Sequence, residues 1–391
     1  MLDYLLLALI CLGHGCLLMA IVNFVYALPL HKYFLKAFRA LMGLLIFGGP
    51  VAFVIAYGFR VTDFVGSCGE CPARIALAVY LGIALMMAAV IFPVITLRRN
   101  IRPRPAQIVE ERTTTIDVAA ALGTRPYGDG ETAWMAKLPF NQPFHVDFTT
   151  LTVALPNLPA AWDGLTLLHL SDLHFFGTPA KPFFDFIVQQ CMNDGVPDLL
   201  MISGDIVDTD EHIAWIPAVL GNLKWKLGAF AILGNHDWWY DFNHVREELG
   251  KLGMKVVSGK WETIDVRGEK LVVMGHEGPW FKEVPDLSAC PADAFRILLS
   301  HTPDNIRWAQ RNSVSLMLSG HNHGGQVRLP LIGSIFVPSR FSRRFDMGTF
   351  FEPPTLLHVI RGLSGKEPIR FRCNPQVTRI VFTTNGANHK M

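Results

Sequence analysis

Three stretches of this chain, Leu5 to Leu30, Leu41 to Phe59 and Ile75 to Leu97, are almost uncharged. Each comes close to the ~20 residues needed to cross the hydrocarbon of a bilayer. Inside lipid a backbone must satisfy its own N–H and C=O groups, so such stretches are expected to be helices. We read three transmembrane helices. A cleaved signal peptide is the rival for the first, but the chain opens Met1-Leu2-Asp3 with no basic residue, and the apolar run is too long for a signal core. The composition agrees: of 391 residues 50% are apolar and only 17% charged.

Charge orients the bundle. Lys32, Lys36 and Arg39 lie between the first two stretches, and Arg98, Arg99, Arg102 and Arg104 follow the third. Basic loops stay in the cytoplasm. The N-terminus and the Arg60 to Arg74 loop are then outside, and everything after Leu97 is inside. Cys68 and Cys71 form a Cys-x-x-Cys in the outer loop, where an oxidising compartment could close a disulfide. Cys11 and Cys16 read as packing residues within lipid, and Cys191, Cys290 and Cys373 as thiols. The net charge of +2 offers no broad basic field for a nucleic acid backbone, so nucleic acid is not the expected partner.

The sequence divides into a membrane bundle over residues 1–99, a connector over 100–143 and a further domain over 144–391. The connector holds prolines, charges and Tyr127-Gly128-Asp129-Gly130, with a short helix expected near Ile116 to Leu122. From Val146 onward, short β-rich runs alternate with amphipathic stretches such as Pro182 to Met192 and Val245 to Leu252. That is the pattern of a layered α/β domain.

In this domain, metal-capable residues fall directly after short apolar runs. Leu165 to Leu170 leads into Asp172-Leu173-His174, Leu199 to Ser203 into Gly204-Asp205, and Ala229 to Leu233 into Gly234-Asn235-His236-Asp237. Phe295 to Ser300 leads into His301, and Ser315 to Ser319 into Gly320-His321-Asn322-His323. Strand ends of an open α/β sheet converge on one crevice. Asp, His and Asn without thiolate suit divalent Mn, Fe or Zn, and the ligands suffice for two ions. Each group has a plainer reading as a cap, a turn or a solvated loop. Five groups of one chemistry, all at strand ends, outweigh those readings.

The set resembles the calcineurin-like metallophosphoesterase superfamily, whose order of Asp-x-His, Gly-Asp, Gly-Asn-His-Asp, a later His and Gly-His-x-His is complete here. Leu170 to His174, Leu299 to Asp304 and Ser319 to Gln326 look like the bacterial subgroup found behind N-terminal transmembrane helices. The resemblance runs from about Thr150 to Phe382. It implies two mixed β-sheets flanked by helices, with Asp172, His174 and His323 on one metal, Asn235, His301 and His321 on the other, and Asp205 bridging them. It further implies attack on phosphorus by a hydroxide shared between the ions. His236 is the candidate proton donor to the leaving oxygen, and Asp237 the residue that would orient it. His169, His212, His244 and His358 match no ligand position. His276, at another strand end, is a candidate substrate contact. The bacterial setting makes the expected location the inner, plasma membrane, with the catalytic domain on the cytoplasmic side.

For the substrate, Phe175, Phe176, Trp238, Trp239, Tyr240, Trp280 and Phe281 follow the ligands and could form an apolar lip, or belong to the core. Arg328, Arg340, Arg343 and Arg344 could bind a second phosphate or anionic lipid. The expected reaction is hydrolysis of a phosphodiester or phosphomonoester, with a phospholipid or lipid-linked phosphate of the inner leaflet as the candidate substrate. The alternatives are a metal-binding sensor or scaffold without turnover, a channel, transporter or receptor built on the helices with an accessory domain, and the same hydrolase acting on soluble nucleotides or phosphoproteins.

Overall fold

The structure is a computed structural model that describes residues 1–66 and 71–386. It divides into two compact units, one of Met1–Pro103 with Leu329–Arg344 and one of Arg104–Arg328 with Phe345–Met391.

In the first unit, α1 (Leu2–Tyr26) and α2 (Lys32–Tyr57) are continuous helices, followed by the short α3 (Val61–Gly66). The third long helix is built from α4 (Pro72–Met86), a π-type turn over Met87–Ile91, and α5 (Phe92–Asn100). Pro93 has no N–H to give the preceding turn, which accounts for the widening there. All three spans are long and apolar enough to cross a membrane. A Cβ on Gly13 would lie 1.7 Å from the Ala84 carbonyl oxygen, so only glycine lets α1 and α4 approach this closely.

Two polar side chains within the spans, His14 and Asn23, are bonded to protein. His14 Nε2 donates to the Leu45 carbonyl at 2.9 Å, and its Nδ1 accepts from the Tyr80 hydroxyl at 2.5 Å, tying the three spans together. The buried Asn23 is bonded to the returning segment 329–344: its Oδ1 accepts from Val337 N–H at 2.9 Å and its Nδ2 donates to the Ile335 carbonyl at 3.2 Å. The proposed Cys68–Cys71 pairing lies outside the described residues.

The second unit opens with β1 (Ile108–Asp117) and α6 (Val118–Leu122), which Asp117 caps through Ala120 N–H at 3.1 Å. The sequence reading gives 100–143 as connector, yet Ile108–Asp117 is a strand paired antiparallel along its length with β2 (His145–Val153). Its outer residues face solvent, so it lacks the apolar alternation that marks a half-buried strand. Then follow β3 (Thr166–Leu170), α7 (Lys181–Asn193), β4 (Leu199–Ser203), β5 (Gly228–Ile232), α8 (Asn235–Trp238), α9 (Phe242–Lys251) and β6 (Lys255–Val256). Next come β7 (Trp261–Val266), β8 (Glu269–Gly275), β9 (Phe295–Leu299), α10 (Ile306–Arg311) and β10 (Leu316–Ser319). The two-stranded ribbon β11 (Arg328–Leu329) and β12 (Gly333–Ser334) falls mainly in the segment 329–344 of the first unit, after which the second unit resumes with β13 (Gly348–Glu352), β14 (Thr355–Val359) and β15 (Gln376–Phe382).

Two mixed sheets result, with strand orders β1-β2-β15-β3-β4-β5-β6 and β13-β14-β10-β9-β8-β7. The period-2 geometry of strands explains the unbroken apolar runs of β3, β4 and β5. Leu167, Leu199, Met201, Phe230 and Ile232 enter the core between the sheets, while Leu168, Leu200, Ile202, Ala229 and Ala231 pack with residues of α7 and α9. Trp162 closes the inter-sheet core, donating its Nε1–H to the Val266 carbonyl at 2.8 Å and meeting Phe295 edge-on. Burial on both faces fixes the strand register, and the register fixes where each strand end delivers its polar residues.

Candidate metal centre

β3, β4 and β5 run parallel as neighbours in one sheet, and β9 and β10 run parallel in the other. All five motif groups therefore lie just past the carboxyl ends of these strands. Five of the residues sit in the left-handed backbone region, with φ of 52° at Asp172, 46° at His174, 54° at Asp205, 67° at His321 and 47° at His323. L-residues avoid this region unless surrounding bonds impose it. Here they do: Asp172 N–H donates to the Gly204 carbonyl at 2.9 Å, His174 N–H to the Asp205 carbonyl at 3.0 Å, and His321 N–H to Asp172 Oδ1 at 3.0 Å. Gly320 is obligatory in this packing, because a Cβ there would come within 2.1 Å of both Ser171 Oγ and Asp172 Oδ2.

Three clusters of donor atoms form among the described residues: one is His174, Asp208 and His236, and Asp205 belongs to both of the other two. Asp172, His174, Asp205 and His323 make the first; Asp205, His301 and His321 make the second, with ligand atoms in each within 4.8 Å of one another. In the first, His323 Nε2 lies 3.2 Å from His174 Nε2 and 3.4 Å from Asp172 Oδ1. In the second, His301 Nε2 lies 3.1 Å from Asp205 Oδ2 and 3.2 Å from Asn235 Oδ1.

Two tautomers are set from behind. His301 Nδ1–H donates to the Ser203 carbonyl at 2.8 Å and His174 Nδ1–H to Asp208 Oδ2 at 3.1 Å, which leaves each Nε2 lone pair facing the cluster. Convergent lone pairs repel unless a cation or proton lies between them. The charge balance points the same way. Burial acts to lower the pKa of His174, but the carboxylates of Asp208, Asp205 and Asp172 together raise it to about 9. His301 is likewise raised to about 9 against burial, by Asp205 and Asp172 with the Ser203 bond. Burial, followed by the Asp205 carboxylate, pushes Asp237 up to about 7. Buried negative charge that draws protons this strongly is a fitting seat for divalent cations, and the oxygen and imidazole donors suit Mn, Zn or Fe.

His236 lies at the rim, its side chain 18% exposed. Its Nδ1–H is held by Asp208 Oδ1, and its ring packs against Trp239 at 4.7 Å and His174 at 4.6 Å. The orienting carboxylate is thus Asp208, where the sequence reading names Asp237. Asp237 is turned away to the backbone: Oδ1 accepts from Ile206 and Val207 N–H at 2.9 and 3.0 Å, and Oδ2 from Gly234 N–H at 2.8 Å. It splices the loop after β4 to the loop after β5, holding Asp205 and Asn235 in register. The signal for Asp208 is its place in Gly204-Asp205-Ile206-Val207-Asp208, one turn beyond Asp205.

Arg370 also escapes the sequence reading. Fully buried, it donates to the carbonyls of Ser364 at 2.6 Å, Arg361 at 2.9 Å and His323 at 3.1 Å, and so fixes the backbone that carries His323. His276 joins neither cluster; its Nδ1 accepts from Gly278 N–H at 3.1 Å, its ring meets Trp308, and burial lowers its pKa to about 4. His169 and His358 are buried packing residues bonded to Ser203, Thr349 and Thr378 hydroxyls. The aromatic set divides. Phe175, Phe176, Trp280 and Phe281 are buried, and Trp280 packs on both His301 and His321, whereas Trp238, Trp239 and Tyr240 stay half-exposed. Arg328 is paired with Asp346 at 2.7 Å.

Residues 165–325 match the family model of the calcineurin-like phosphoesterases. The chain is 29% identical over 257 residues to an uncharacterized metallophosphoesterase, YkuE, of Bacillus subtilis (strain 168), covering 63% of this chain and 88% of that protein. It is 28% identical over 226 residues to the phosphodiesterase YaeI of Escherichia coli (strain K12), covering 55% and 80% respectively. A transmembrane protein with metallophosphoesterase domain from Danio rerio is 30% identical over 252 residues, covering 59% of this chain and 56% of that one.

Proposed function

We propose, from the premise that this chain is a membrane protein with a calcineurin-like metallophosphoesterase domain, that it hydrolyses a phosphodiester of lipid character at the bilayer surface. The observation that carries the hydrolytic part is Asp205, one carboxylate common to two clusters of inward-facing donors. Asp172, His174 and His323 would hold one cation, Asn235, His301 and His321 the second, with Asp205 between them. Divalent cations at such a site supply Lewis acidity toward phosphoryl oxygens and lower the pKa of water, so that hydroxide is available near neutrality. The chain's own residues do the rest. Asp208 fixes the imidazole of His236 through Nδ1–H and stabilises its doubly protonated form, whose Nε2–H passes to the departing alkoxide and leaves the neutral Nδ1–H tautomer behind. Trp239 limits the ring's rotation and keeps one side of it dry. The diester preference draws on the phosphodiesterase among its relatives, the lipid character on the three spans, and a cytoplasmic-side, inner-membrane placement on the basic loops.

The test uses the full chain in detergent, stripped of metal and then supplied with manganese or zinc. Metal-dependent hydrolysis of an aryl phosphodiester is expected, with a glycerophospholipid analogue in mixed micelles cleaved faster than a cyclic or linear nucleotide. Bound metal without turnover of any ester would leave the sensor reading standing instead. Replacing His236 by glutamine is expected to lower kcat by on the order of 10²-fold, because a proton donor is lost. Metal content measured by elemental analysis should stay at the wild-type level; a parallel loss of metal would assign His236 to the cation site.

A further inference from the structure

The two ends of the membrane unit differ sharply in charge. At one end acids and bases are mixed: Asp3 accepts from Thr62 N–H and Oγ1, and Arg60 pairs with Asp63 at 3.4 Å. At the other end, the α1–α2 turn, the close of α5 and the returning segment 329–344 contain no Asp or Glu at all. Exposed there are Lys36, Arg39, Arg98, Arg340 and Arg344.

The returning segment is built onto this end. Asn23, 2% exposed, bonds the backbone at Val337 and Ile335 and reaches Ser342 Oγ at 3.3 Å. Tyr26 meets Phe336 edge-on at 5.2 Å, and Asn100 Nδ2 donates to the Leu331 carbonyl at 2.9 Å. Arg343 lies over the Phe92 ring and donates to the Ile332 carbonyl, so it serves the packing. Arg340 and Arg344 are exposed on the same returning segment as Leu331, which is 87% exposed, and Ile101 at the close of α5 is 67% exposed. Apolar tips among guanidinium groups, at the end of three spans, match the layer where acyl chains give way to phosphates.

We propose that the segment 329–344, clamped on α1 by Asn23, completes a collar that binds the headgroup phosphates of anionic glycerophospholipids in the surrounding leaflet. Arg340 and Arg344 contribute guanidinium–phosphate hydrogen bonds, and Leu331 enters the acyl boundary. The collar stands whether or not a lipid is the substrate, since its evidence lies wholly in the membrane unit.

The full chain is reconstituted in nanodiscs of phosphatidylcholine with a minor share of phosphatidylglycerol, and spin-labelled forms of each lipid report the protein-immobilised fraction. Wild type should immobilise phosphatidylglycerol preferentially, and salt should weaken the preference. In R340Q/R344Q the selectivity should drop by roughly fivefold for each arginine removed. Asn23→Ala should lower it as well with every arginine retained, because the segment is no longer clamped. R60Q, at the opposite end, should change nothing. Equal immobilisation of the two lipids by wild type, or full selectivity in R340Q/R344Q, overturns the proposal. Retained ester hydrolysis on a soluble aryl phosphate shows that each variant is folded.

Discussion

Asp205→Asn is expected to remove essentially all metal-dependent ester hydrolysis, a fall on the order of 10³-fold or more in kcat, as preorganised charge is lost from the reacting centre. The substitution is nearly isosteric. Asp205 Oδ1 accepts from His236 N–H at 2.8 Å, and the amide oxygen of asparagine can keep that bond, so the turn after β5 should hold. What disappears is the one negative charge that both clusters share, with Oδ2 at 3.1 Å from His301 Nε2 and 3.6 Å from His174 Nε2. The variant should fold, elute as wild type and retain less than its full metal content. Wild-type turnover with both metals bound would show that Asp205 is not the shared ligand, and the assignment of Asp172, His174, Asn235, His301, His321 and His323 would need redrawing with it.

The contrast with His236→Gln separates two jobs that the sequence runs together. Gly234-Asn235-His236-Asp237 places three polar residues in one short helix, yet the structure sends them in different directions. Asn235 turns toward His301, His236 toward Asp208 at the rim, and Asp237 back onto backbone N–H groups. Adjacent residues in a helical turn diverge by about 100°, so proximity in sequence is a poor guide to partnership, and Asp237 was the natural but mistaken partner for His236. Asp208 was concealed for the opposite reason. Its partners His174 and His236 come from two other strand ends, and only the parallel order β3-β4-β5 brings them together.

The strand-end residues themselves were legible because the apolar runs before them are short, continuous and buried on both faces. Periodicity gives strand length, and strand length gives the position of the first polar residue. β1 was illegible because its outward residues, among them Glu111 and Thr114, face water, and its pairing rests on β2 through backbone bonds and contacts such as Thr113 with Thr149. The segment 329–344 was missed for a related reason. It has neither helical nor strand periodicity, and what places it with the membrane helices is one buried amide, Asn23, hundreds of residues earlier in the chain.

Arg370→Met is expected to destabilise the catalytic unit by about 3–5 kcal/mol, the usual result of removing one side of a buried charged network. The guanidinium satisfies three carbonyls at once, and no water can replace it in a site 1% exposed. Methionine fills much of the volume but leaves the Ser364 and Arg361 carbonyls without this donor, each costing about 1–3 kcal/mol, while the His323 carbonyl keeps Gln326 N–H and Cys373 Sγ–H. Removing the buried charge itself returns part of that loss, which keeps the net below the sum. Lysine should rescue little, since a single ammonium on a flexible stem cannot reproduce a planar fork aimed at three oxygens. Tryptophan fluorescence during heating of the full chain in detergent should show the transition lowered by about 10 °C, given a shift of roughly 2–4 °C per kcal/mol for a unit of this size. The same variant tests how the metal centre is supported. His323 carries a left-handed φ of 47°; its carbonyl is held by Arg370 together with Gln326 N–H and Cys373 Sγ–H, and Arg370 alone of the three also reaches the His323 ring, at 3.4 Å from Nδ1. Affinity for the cation at Asp172, His174 and His323 should therefore weaken more than affinity at His301 and His321. A variant as stable as wild type, or one weakened equally at both cation positions, would mean that the strained backbone at His323 is held by Gly320 and Asp172 without help from this side.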